Sequence, residues 1–292
     1  MEACQLIVAA SSDAGNVRER NEDLVYHAEL PVDGGVETSI LAVADGMGGY
    51  DRGDVASKMA IDTVTERFQT LDTDDFVLLL KQAYRRANEL IYEDGSAQGD
   101  HNIMGTTLVV AVIRDTDLTM ANVGDSRGYL ARAGVLTQVT SDHSLIAEQV
   151  RMGVLTEQEA RESNHKNIIT RALGHRQRVD VDVFELTLLP EDRLLLSTDG
   201  LHDFVDEGEM LAIITGMQPE EATRTLVMRA LENGSTDNVS AVVGWMAPLS
   251  VLQAPPEPVA ADGAGPRWLI PAVVILGLLI VIAIVVVVVT QV

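Results

Sequence analysis

Three apolar segments of this chain are each joined to an aspartate at a turn. The segments are residues 40–44 before Asp45-Gly46, residues 194–197 before Asp199-Gly200, and residues 239–243 after Asp237-Asn238. Apolar, β-branched runs bounded by turn residues predict buried strands, so we expect a carboxylate at the end of each strand. An Asp-Gly pair alone usually marks only a turn. If the strands are neighbours, however, the three charges converge at one sheet edge and repel each other unless cations neutralise them.

The cysteine content restricts the kind of cation and the kind of chemistry. Cys4 is the only cysteine, which excludes an intrachain disulfide and cysteine-rich zinc ligation. A Cys-dependent phosphatase loop is also excluded, because it needs an arginine where this chain has Ala10. Oxygen ligands without cysteine or clustered histidine select Mg²⁺ or Mn²⁺ over zinc or copper.

The charge balance restricts the partners. Acidic residues outnumber basic residues by 44 to 21, giving a formal net charge of −23. This balance argues against a nucleic-acid partner, since contacts to a phosphate backbone need Lys and Arg. It is compatible with carboxylates gathered around cations.

The last part of the sequence has the composition of a membrane anchor. Residues 268–290 contain no charged side chain and would span about 35 Å as a helix, against a hydrocarbon core of about 30 Å. A buried core helix is the alternative, but such helices seldom run so long without a charge. Prolines and glycines concentrate just before this stretch, which predicts an extended linker. We therefore predict a globular domain over residues 1–247, a linker over 248–267 and a transmembrane helix over 268–290.

The flanks of this predicted helix indicate its orientation. Arg267 lies on the side of the globular domain and Trp268 at the expected interface, as positive-inside and aromatic-belt preferences require. We expect no secretory signal, because the apolar run over residues 6–10 is too short and Glu2 replaces the usual basic start. The sequence thus predicts a single-pass protein of the cell membrane whose globular domain lies in the cytoplasm.

Short β-rich runs and amphipathic helical segments alternate in the globular part. Strands are predicted over residues 39–44, 107–113, 120–123, 128–132, 135–139, 193–197 and 239–245. Helical periodicity is clearest over residues 55–68, 75–92 and 220–231. Because two helices come early and strands then cluster, the order favours an α+β fold over a parallel βαβ sheet.

Six short motifs carry a resemblance to a known family. They are Arg18-x-x-Asn21-Glu22-Asp23, Asp45-Gly46-Met47-Gly48-Gly49, Met104-Gly105-Thr106-Thr107, Gly124-Asp125-Ser126-Arg127, Ser197-Thr198-Asp199-Gly200 and Thr236-Asp237-Asn238-Val239. In this order they resemble the metal-dependent Ser/Thr protein phosphatases of the PPM or type 2C family, in their bacterial form, over about residues 5–246. The resemblance implies a four-layer αββα sandwich with two central antiparallel sheets, joined here to the C-terminal transmembrane helix.

The resemblance also implies two Mn²⁺ or Mg²⁺ ions where the two sheets meet, and a third ion that binds more weakly. Asp45 would bridge the two ions, and Gly46 would bind one of them through its carbonyl. Asp199 and Asp237 would complete the ligands of the other ion. Further residues implied at the centre are Asp23 and Glu22, mainly through water, Asp125 with Asp199 at the third ion, and Asn238, which would orient Asp237 or a metal-bound water.

The implied reaction is the hydrolysis of phosphoserine and phosphothreonine on proteins by a water that the two ions activate. Arg18 would hold the substrate phosphate and share the catalytic role with Asp45. Met47 stands where animal relatives have a histidine, which leaves the proton donor unassigned. None of the departures from the family pattern removes an implied metal ligand, so a pseudophosphatase is not expected.

Residues 142–174 form a charged, glycine-punctuated segment that could move over the site, and we call it the flap segment. His143 and His165 lie in it. Each either meets the substrate or is a solvated loop residue, and the loop interpretation is preferred.

Three functions remain open at this point. The favoured one is a membrane-tethered phosphatase of phosphoproteins that opposes a Ser/Thr protein kinase. The second is a relative that acts on an anti-sigma-antagonist phosphoprotein, although such proteins usually carry sensory domains and none is seen here. The third is a non-catalytic membrane scaffold, against which the intact acids Asp45, Asp199 and Asp237 argue.

Overall fold

The computed structural model describes residues 3–30, 38–48, 52–70, 75–97, 104–156, 159–160 and 168–252. The strands in this part are β1 (Cys4–Asp13), β2 (Asp23–Leu30), β3 (Thr38–Gly48), β4 (Met104–Thr106), β5 (Leu108–Arg114), β6 (Asp117–Val123), β7 (Arg127–Arg132), β8 (Val135–Gln138), β9 (Asp182–Thr187), β10 (Arg193–Ser197) and β11 (Val239–Pro248). The helices are α1 (Gly53–Thr70), α2 (Phe76–Ala97), α3 (Leu145–Arg151), α4 (Asp199–His202), α5 (Glu207–Gly216), α6 (Pro219–Glu232) and α7 (Leu249–Leu252).

The predicted transmembrane helix and most of the predicted linker lie outside the described residues. Within those residues, no helix combines the length and apolar character needed to cross a bilayer. β11 continues to Pro248 and leads into α7, where the Leu249 amide donates to the Ala3 carbonyl at 2.9 Å. The folded unit therefore extends to Leu252, past the predicted boundary at residue 247.

Two antiparallel sheets form the centre of the fold. The strand order is β1-β11-β10-β7-β8 in the first sheet and β2-β3-β5-β6-β9 in the second, with β4 paired to the end of β3. The inner faces of the sheets pack against each other through fully buried side chains such as Leu41, Val109, Leu196 and Val242. This apolar contact holds the two sheets together as a sandwich.

Helices cover the outer face of each sheet. α1 and α2 pack on the second sheet through a buried cluster that includes Tyr84 and Ile91. α5 and α6 pack on the first sheet through a cluster that includes Ile214 and Leu226. Burying one such large apolar side chain contributes about 1.5–3 kcal/mol, so these clusters fix the helices on the sheets. The predicted α+β class and the four-layer αββα arrangement are confirmed.

The strand registers bring the acidic motifs to one end of the sandwich. Asp45 on β3 pairs with Asp23, the first residue of β2. In the first sheet, β10 ends next to Asp199 and β11 begins next to Asp237, and the two strands pair antiparallel. Because neighbouring antiparallel strands alternate in direction, the end of one lies beside the start of the next. The carboxylates of both sheets are thereby collected at the same end.

Two of the three predicted aspartate turns are wrong in their local structure. Asp45 and Gly46 lie within β3, which continues to Gly48 because residues 46–48 pair with β4. Asp199 is the first residue of α4 and so begins a helix. Only Asp237 lies in a loop, between α6 and β11.

Candidate metal centre

Asp45 lies among four other aspartates at this end of the sandwich. Burial raises the pKa of Asp45 well above its ordinary value, and repulsion from the other carboxylates raises it further. The neighbours that repel it are Asp23, Asp199, Asp125 and Asp237. Burial is also the main cause that raises the pKa of Asp199 to about 6, of Asp23 to about 7 and of Asp125 to about 8. The chain alone therefore does not stabilise the negative charges that it gathers here.

Two carboxylate oxygens at this centre have no hydrogen-bond donor. Asp125 Oδ1 and Asp199 Oδ1 are buried and unpartnered among the described residues. Leaving a buried acceptor unsatisfied costs about 1–3 kcal/mol, and more when the group is charged. A hard divalent cation would satisfy both oxygens, since Mg²⁺ and Mn²⁺ prefer carboxylate ligands. The donor set therefore fits the predicted ions.

The side chains alone do not form a complete ligand set. No group of three acidic, histidine or cysteine side chains in the described ranges converges on one point. Asp237 is engaged by Arg18, whose Nη2 donates to Asp237 Oδ2 at 2.6 Å. Its Oδ1 accepts the backbone amide of Asn238 at 2.9 Å. A cation at Asp237 would therefore have to replace Arg18 as the partner of that carboxylate.

Two threonines fix the backbone of Asp45. The Thr107 amide donates to the Asp45 carbonyl at 2.9 Å, and Thr107 Oγ1 accepts the Asp45 amide at 3.0 Å. The Thr106 hydroxyl donates to the same carbonyl at 2.9 Å. Thr107 Oγ1 also lies 2.6 Å from the hydroxyl of Ser126, which follows Asp125. The second sheet thus holds two of the acidic motifs in one hydrogen-bonded frame.

Two glycines allow backbone segments to approach each other closely at the centre. A Cβ on Gly46 would lie 2.1 Å from the carbonyl oxygen of Gly53. A Cβ on Gly200 would lie 2.0 Å from the carbonyl oxygen of Asn238. Neither position admits a side chain, which explains why glycine follows both Asp45 and Asp199.

Asp23 and Glu22 are held by hydrogen bonds from neighbouring elements. Thr198 Oγ1 donates to Asp23 Oδ2 at 2.9 Å and accepts an amide of β11 at 3.1 Å, so Asp23 lies beside the motif of Asp199. Glu22 Oε1 accepts the amide of Gly53, the first residue of α1, at 2.9 Å. Both carboxylates therefore lie at the centre with part of their hydrogen-bonding capacity already used, which is compatible with the predicted contacts through water.

Asn238 holds the loop that carries Arg18. Its side chain bonds three backbone groups of this loop, namely the Glu22 amide at 2.8 Å and the Ala14 and Arg20 carbonyls at 2.9 Å each. Only the backbone amide of Asn238 contacts Asp237. The side chain of Asn238 therefore positions the loop of Arg18, and its predicted role in orienting Asp237 or a metal-bound water stays a prediction.

A cavity of about 1110 Å³ opens beside Asp125 and Asp199. The flap segment borders it through Ser144, and α4 borders it through the buried His202. His143 is only 1% exposed, so the solvated-loop interpretation is wrong for this residue. His165 lies outside the described residues.

A sequence model of the family named protein phosphatase 2C (PP2C) matches residues 9–239. The chain belongs to the PP2C family. The match includes all six motifs on which the resemblance was based, and the fold described above contains the same segment.

Curated bacterial relatives of this PP2C chain are similar over most of its length. A serine/threonine phosphatase stp of Listeria monocytogenes serovar 1/2a is 37% identical over 242 residues, covering 80% of this chain and 92% of the relative. The serine/threonine protein phosphatase PstP of Mycobacterium tuberculosis is 36% identical over 236 residues, covering 80% of this chain and 44% of the relative.

Solved structures of the family share the fold. A crystal structure of the serine/threonine phosphatase PstP/Ppp of Mycobacterium tuberculosis has a TM-score of 0.76 at 34% identity, covering 83% of this chain and 99% of that one. A structure of the PstP catalytic domain in complex with two manganese ions has a TM-score of 0.73 at 34% identity and covers 83% and 98% of the two chains. The predicted family, the protein serine/threonine phosphatase class and the Mn²⁺ or Mg²⁺ cofactors are confirmed. The roles assigned to individual site residues stay predictions.

We expect Arg18→Ala to lower kcat/KM by about tenfold or more for every phosphomonoester, because the phosphate is the group that all of them share. Arg18→Lys should recover only part of the loss, since a lysine cannot bind two phosphate oxygens with a planar fork. Steady-state kinetics on p-nitrophenyl phosphate and a phosphopeptide measure both effects. Arg86→Ala, on the exposed face of α2, is the matched control. A loss confined to one of the two substrates would contradict the phosphate role.

We expect the stability of chelator-treated protein to fall between about pH 4 and pH 8. In the folded chain the pKa values of Asp199, Asp23 and Asp125 are raised to about 6, 7 and 8 from an ordinary value of 3.8. In this pH range the folded state therefore binds more protons than the unfolded state. The free energy of unfolding consequently falls as the pH rises. Thermal unfolding in EDTA from pH 5 to 9 tests this. A Tm that rises steadily over that range would show that these carboxyls are not protonated in the folded chain.

Proposed function

We propose that this phosphatase removes phosphate from phosphoserine and phosphothreonine of proteins beside a membrane, where it opposes a Ser/Thr protein kinase. The observation that carries the catalytic part is the cluster of five aspartates with Arg18 at one end of the sandwich. The membrane part depends on the uncharged stretch over residues 268–290. The kinase follows from the substrate, because a phosphoprotein must be made by a kinase.

The residues at the centre have distinct tasks in this reaction. Asp45, the Gly46 carbonyl, Asp199 and Asp237 would hold the metal ions. When bound, such ions lower the pKa of water and stabilise charge on the attacking and leaving oxygens. Arg18 Nη2 donates to Asp237 Oδ2 at 2.6 Å, and a cation that takes this place at Asp237 would leave the guanidinium beside the centre and free to meet the substrate phosphate. It binds and orients the phosphate there.

The last described residues lie away from the acidic residues of the centre. β11 begins beside Asp237 and ends at Pro248, so the strand carries the chain from the carboxylate end of the sandwich to its opposite end. α7 follows directly and ends at Leu252. Tethering would raise the local concentration of the enzyme near membrane-bound substrates.

Fractionation and protease protection test the location. We expect the full chain to stay in carbonate-washed membranes and a chain that ends at Leu252 to be soluble and equally active on p-nitrophenyl phosphate. Protease added outside intact spheroplasts should leave the domain whole. A soluble full-length chain would contradict the tether alone, and digestion from outside would contradict the cytoplasmic side alone; neither result would affect the phosphatase assignment.

Comparative phosphoproteomics tests the opposition to a kinase. A strain that lacks the protein and a strain that carries only Asp199→Asn should accumulate the same phosphoserine and phosphothreonine sites. Restoring the wild-type chain should remove them. If the Asp199→Asn strain resembled the wild type, the protein would act as a non-catalytic scaffold and the proposal would fail.

A further inference from the structure

His143 joins the flap segment to the turn that precedes Asp125. Its backbone amide donates to the Gly124 carbonyl at 2.9 Å, and its carbonyl accepts the Thr170 amide at 2.8 Å. Because Thr170 belongs to the far end of the flap segment, His143 connects both ends of that segment to one turn. The residue is 1% exposed, so solvent does not compete for these contacts.

The side chain of His143 makes a second pair of contacts, and these define its tautomer. The Gly124 amide donates to Nδ1 at 3.0 Å, so Nδ1 must be unprotonated. Nε2 therefore carries the proton and donates to Asp182 Oδ2 at 3.2 Å. Burial, with Arg171 nearby, lowers the pKa of His143, which agrees with a neutral ring. Asp182 in turn accepts from Arg171 Nη1 at 2.7 Å, so the network continues to the far end of the flap segment.

The Gly124 turn has little freedom to compensate for a change at His143. Gly124 has a φ of +111°, and a Cβ there would lie 2.5 Å from the Thr107 side chain. The Asn122 amide nitrogen adds bonds to the carbonyls of Gly124 and Ser141, at 3.3 and 3.1 Å. Asp125 follows Gly124 directly, and any shift of the turn moves its carboxylate.

We propose that His143 is a positioning residue that places the Asp125 carboxylate and the base of the flap segment in one fixed frame. Nδ1 accepts the Gly124 amide and so holds the turn before Asp125. Nε2 donates to Asp182 and so holds the far end of the flap segment through Arg171. The inference uses the phosphatase activity as its readout but does not depend on the membrane tether or on the kinase.

Two substitutions separate the two contacts. His143→Asn keeps an acceptor near the place of Nδ1 but is too short to reach Asp182. His143→Gln keeps a donor near the place of Nε2 and loses the acceptor for Gly124. We expect His143→Gln to lower kcat on p-nitrophenyl phosphate by about tenfold, the effect of about one lost buried hydrogen bond. We expect His143→Asn to leave that kcat within about twofold and to raise KM for a phosphopeptide by about fivefold or more.

Amide hydrogen exchange gives a readout that does not depend on turnover. The Gly124 amide should exchange faster in His143→Gln and stay protected in His143→Asn. The amides of residues 168–171 should stay protected in His143→Gln and exchange faster in His143→Asn. Asp182→Ala removes the acceptor of both His143 Nε2 and Arg171 Nη1, leaves the Nδ1 contact in place, and should reproduce the kinetic pattern of His143→Asn. It also serves as the test if His143→Gln does not fold.

Tyr84→Phe is the matched control. The Tyr84 hydroxyl is fully buried and donates to the Ala121 carbonyl at 2.8 Å, on the same strand that leads to Gly124. Its loss should lower Tm and leave kcat, KM and the exchange of the flap amides unchanged. The proposal is overturned if both His143 variants behave like this control or lose activity equally, or if Asp182→Ala leaves the phosphopeptide KM unchanged.

Discussion

Asp45→Asn is expected to lower turnover of every phosphomonoester by about 10³-fold or more, because the loss of several kcal/mol of charge stabilisation at a metal centre translates into that factor. The substitution keeps the shape of the side chain and removes one negative charge from a site that would hold divalent cations. Thr106 and Thr107 bond only the backbone of Asp45, so the strand should keep its place. Turnover of p-nitrophenyl phosphate at saturating Mn²⁺ measures the effect.

Asp45→Asn should not destabilise the metal-free protein that EDTA treatment produces. The Asp45 carboxyl has a raised pKa because it is buried among four other aspartates, so a neutral amide relieves repulsion. We expect the Tm in EDTA to be unchanged or higher. Asp62→Asn on α1, which removes an exposed carboxylate paired with Lys58, is the matched control and should leave turnover unchanged. Near-full Mn²⁺-dependent turnover in Asp45→Asn would refute the assignment of Asp45 as a ligand.

Asn238→Ala is expected to have the second-largest effect. It removes three hydrogen bonds to the backbone of the Arg18 loop, which should cost about 3 kcal/mol of stability at about 1 kcal/mol for each bond. Because the freed loop carries Glu22 as well as Arg18, kcat/KM should fall by about 10²-fold, more than for Arg18→Ala alone. Denaturant unfolding and steady-state kinetics measure the two effects.

Asn88→Ala provides a closely matched control for this substitution. Asn88 is also buried, and its side chain bonds three backbone groups, the Gly174 amide and the Arg176 and Gln177 carbonyls. Its replacement should cost a similar free energy of unfolding with a much smaller change in kcat/KM. If the two variants lost kcat/KM equally, Asn238 would act only through stability and its positioning role would be wrong.

The helices and inner strands of this fold are predictable because their patterns are local. α1 and α6 contain the helices expected over residues 55–68 and 220–231, and α2 begins one residue later and ends five residues later than the helix expected over residues 75–92. β1, β2 and β9 are edge strands of their sheets and were not predicted, since a partly solvated strand mixes polar and apolar residues without clean alternation. α5 was also missed, because this short helix does not keep its apolar residues to one stripe.

The aspartates of the site are predictable because each lies beside a local apolar pattern. The residues that hold these aspartates and their loops by hydrogen bonds are not predictable in this way. Asp45, Asp199 and Asp237 each adjoin an apolar run that marks a strand. Asn238 and Ala14, by contrast, are 224 positions apart, and Thr198 and Asp23 are 175 apart. His143 gives no signal of burial, because its partner Asp182 lies on an edge strand that the sequence pattern does not reveal. Contacts of this kind depend on how the sheets are paired.

Equilibrium binding of Mn²⁺ to the full chain and to its Asp45→Asn variant tests the metal centre most directly. The number of tightly bound ions can be measured by dialysis followed by metal analysis, without any substrate. We predict two tight ions for the wild-type chain. We predict none for Asp45→Asn, because Asp45 would contact both ions. Two tight ions in the variant, with unchanged affinity, would contradict the account of this centre.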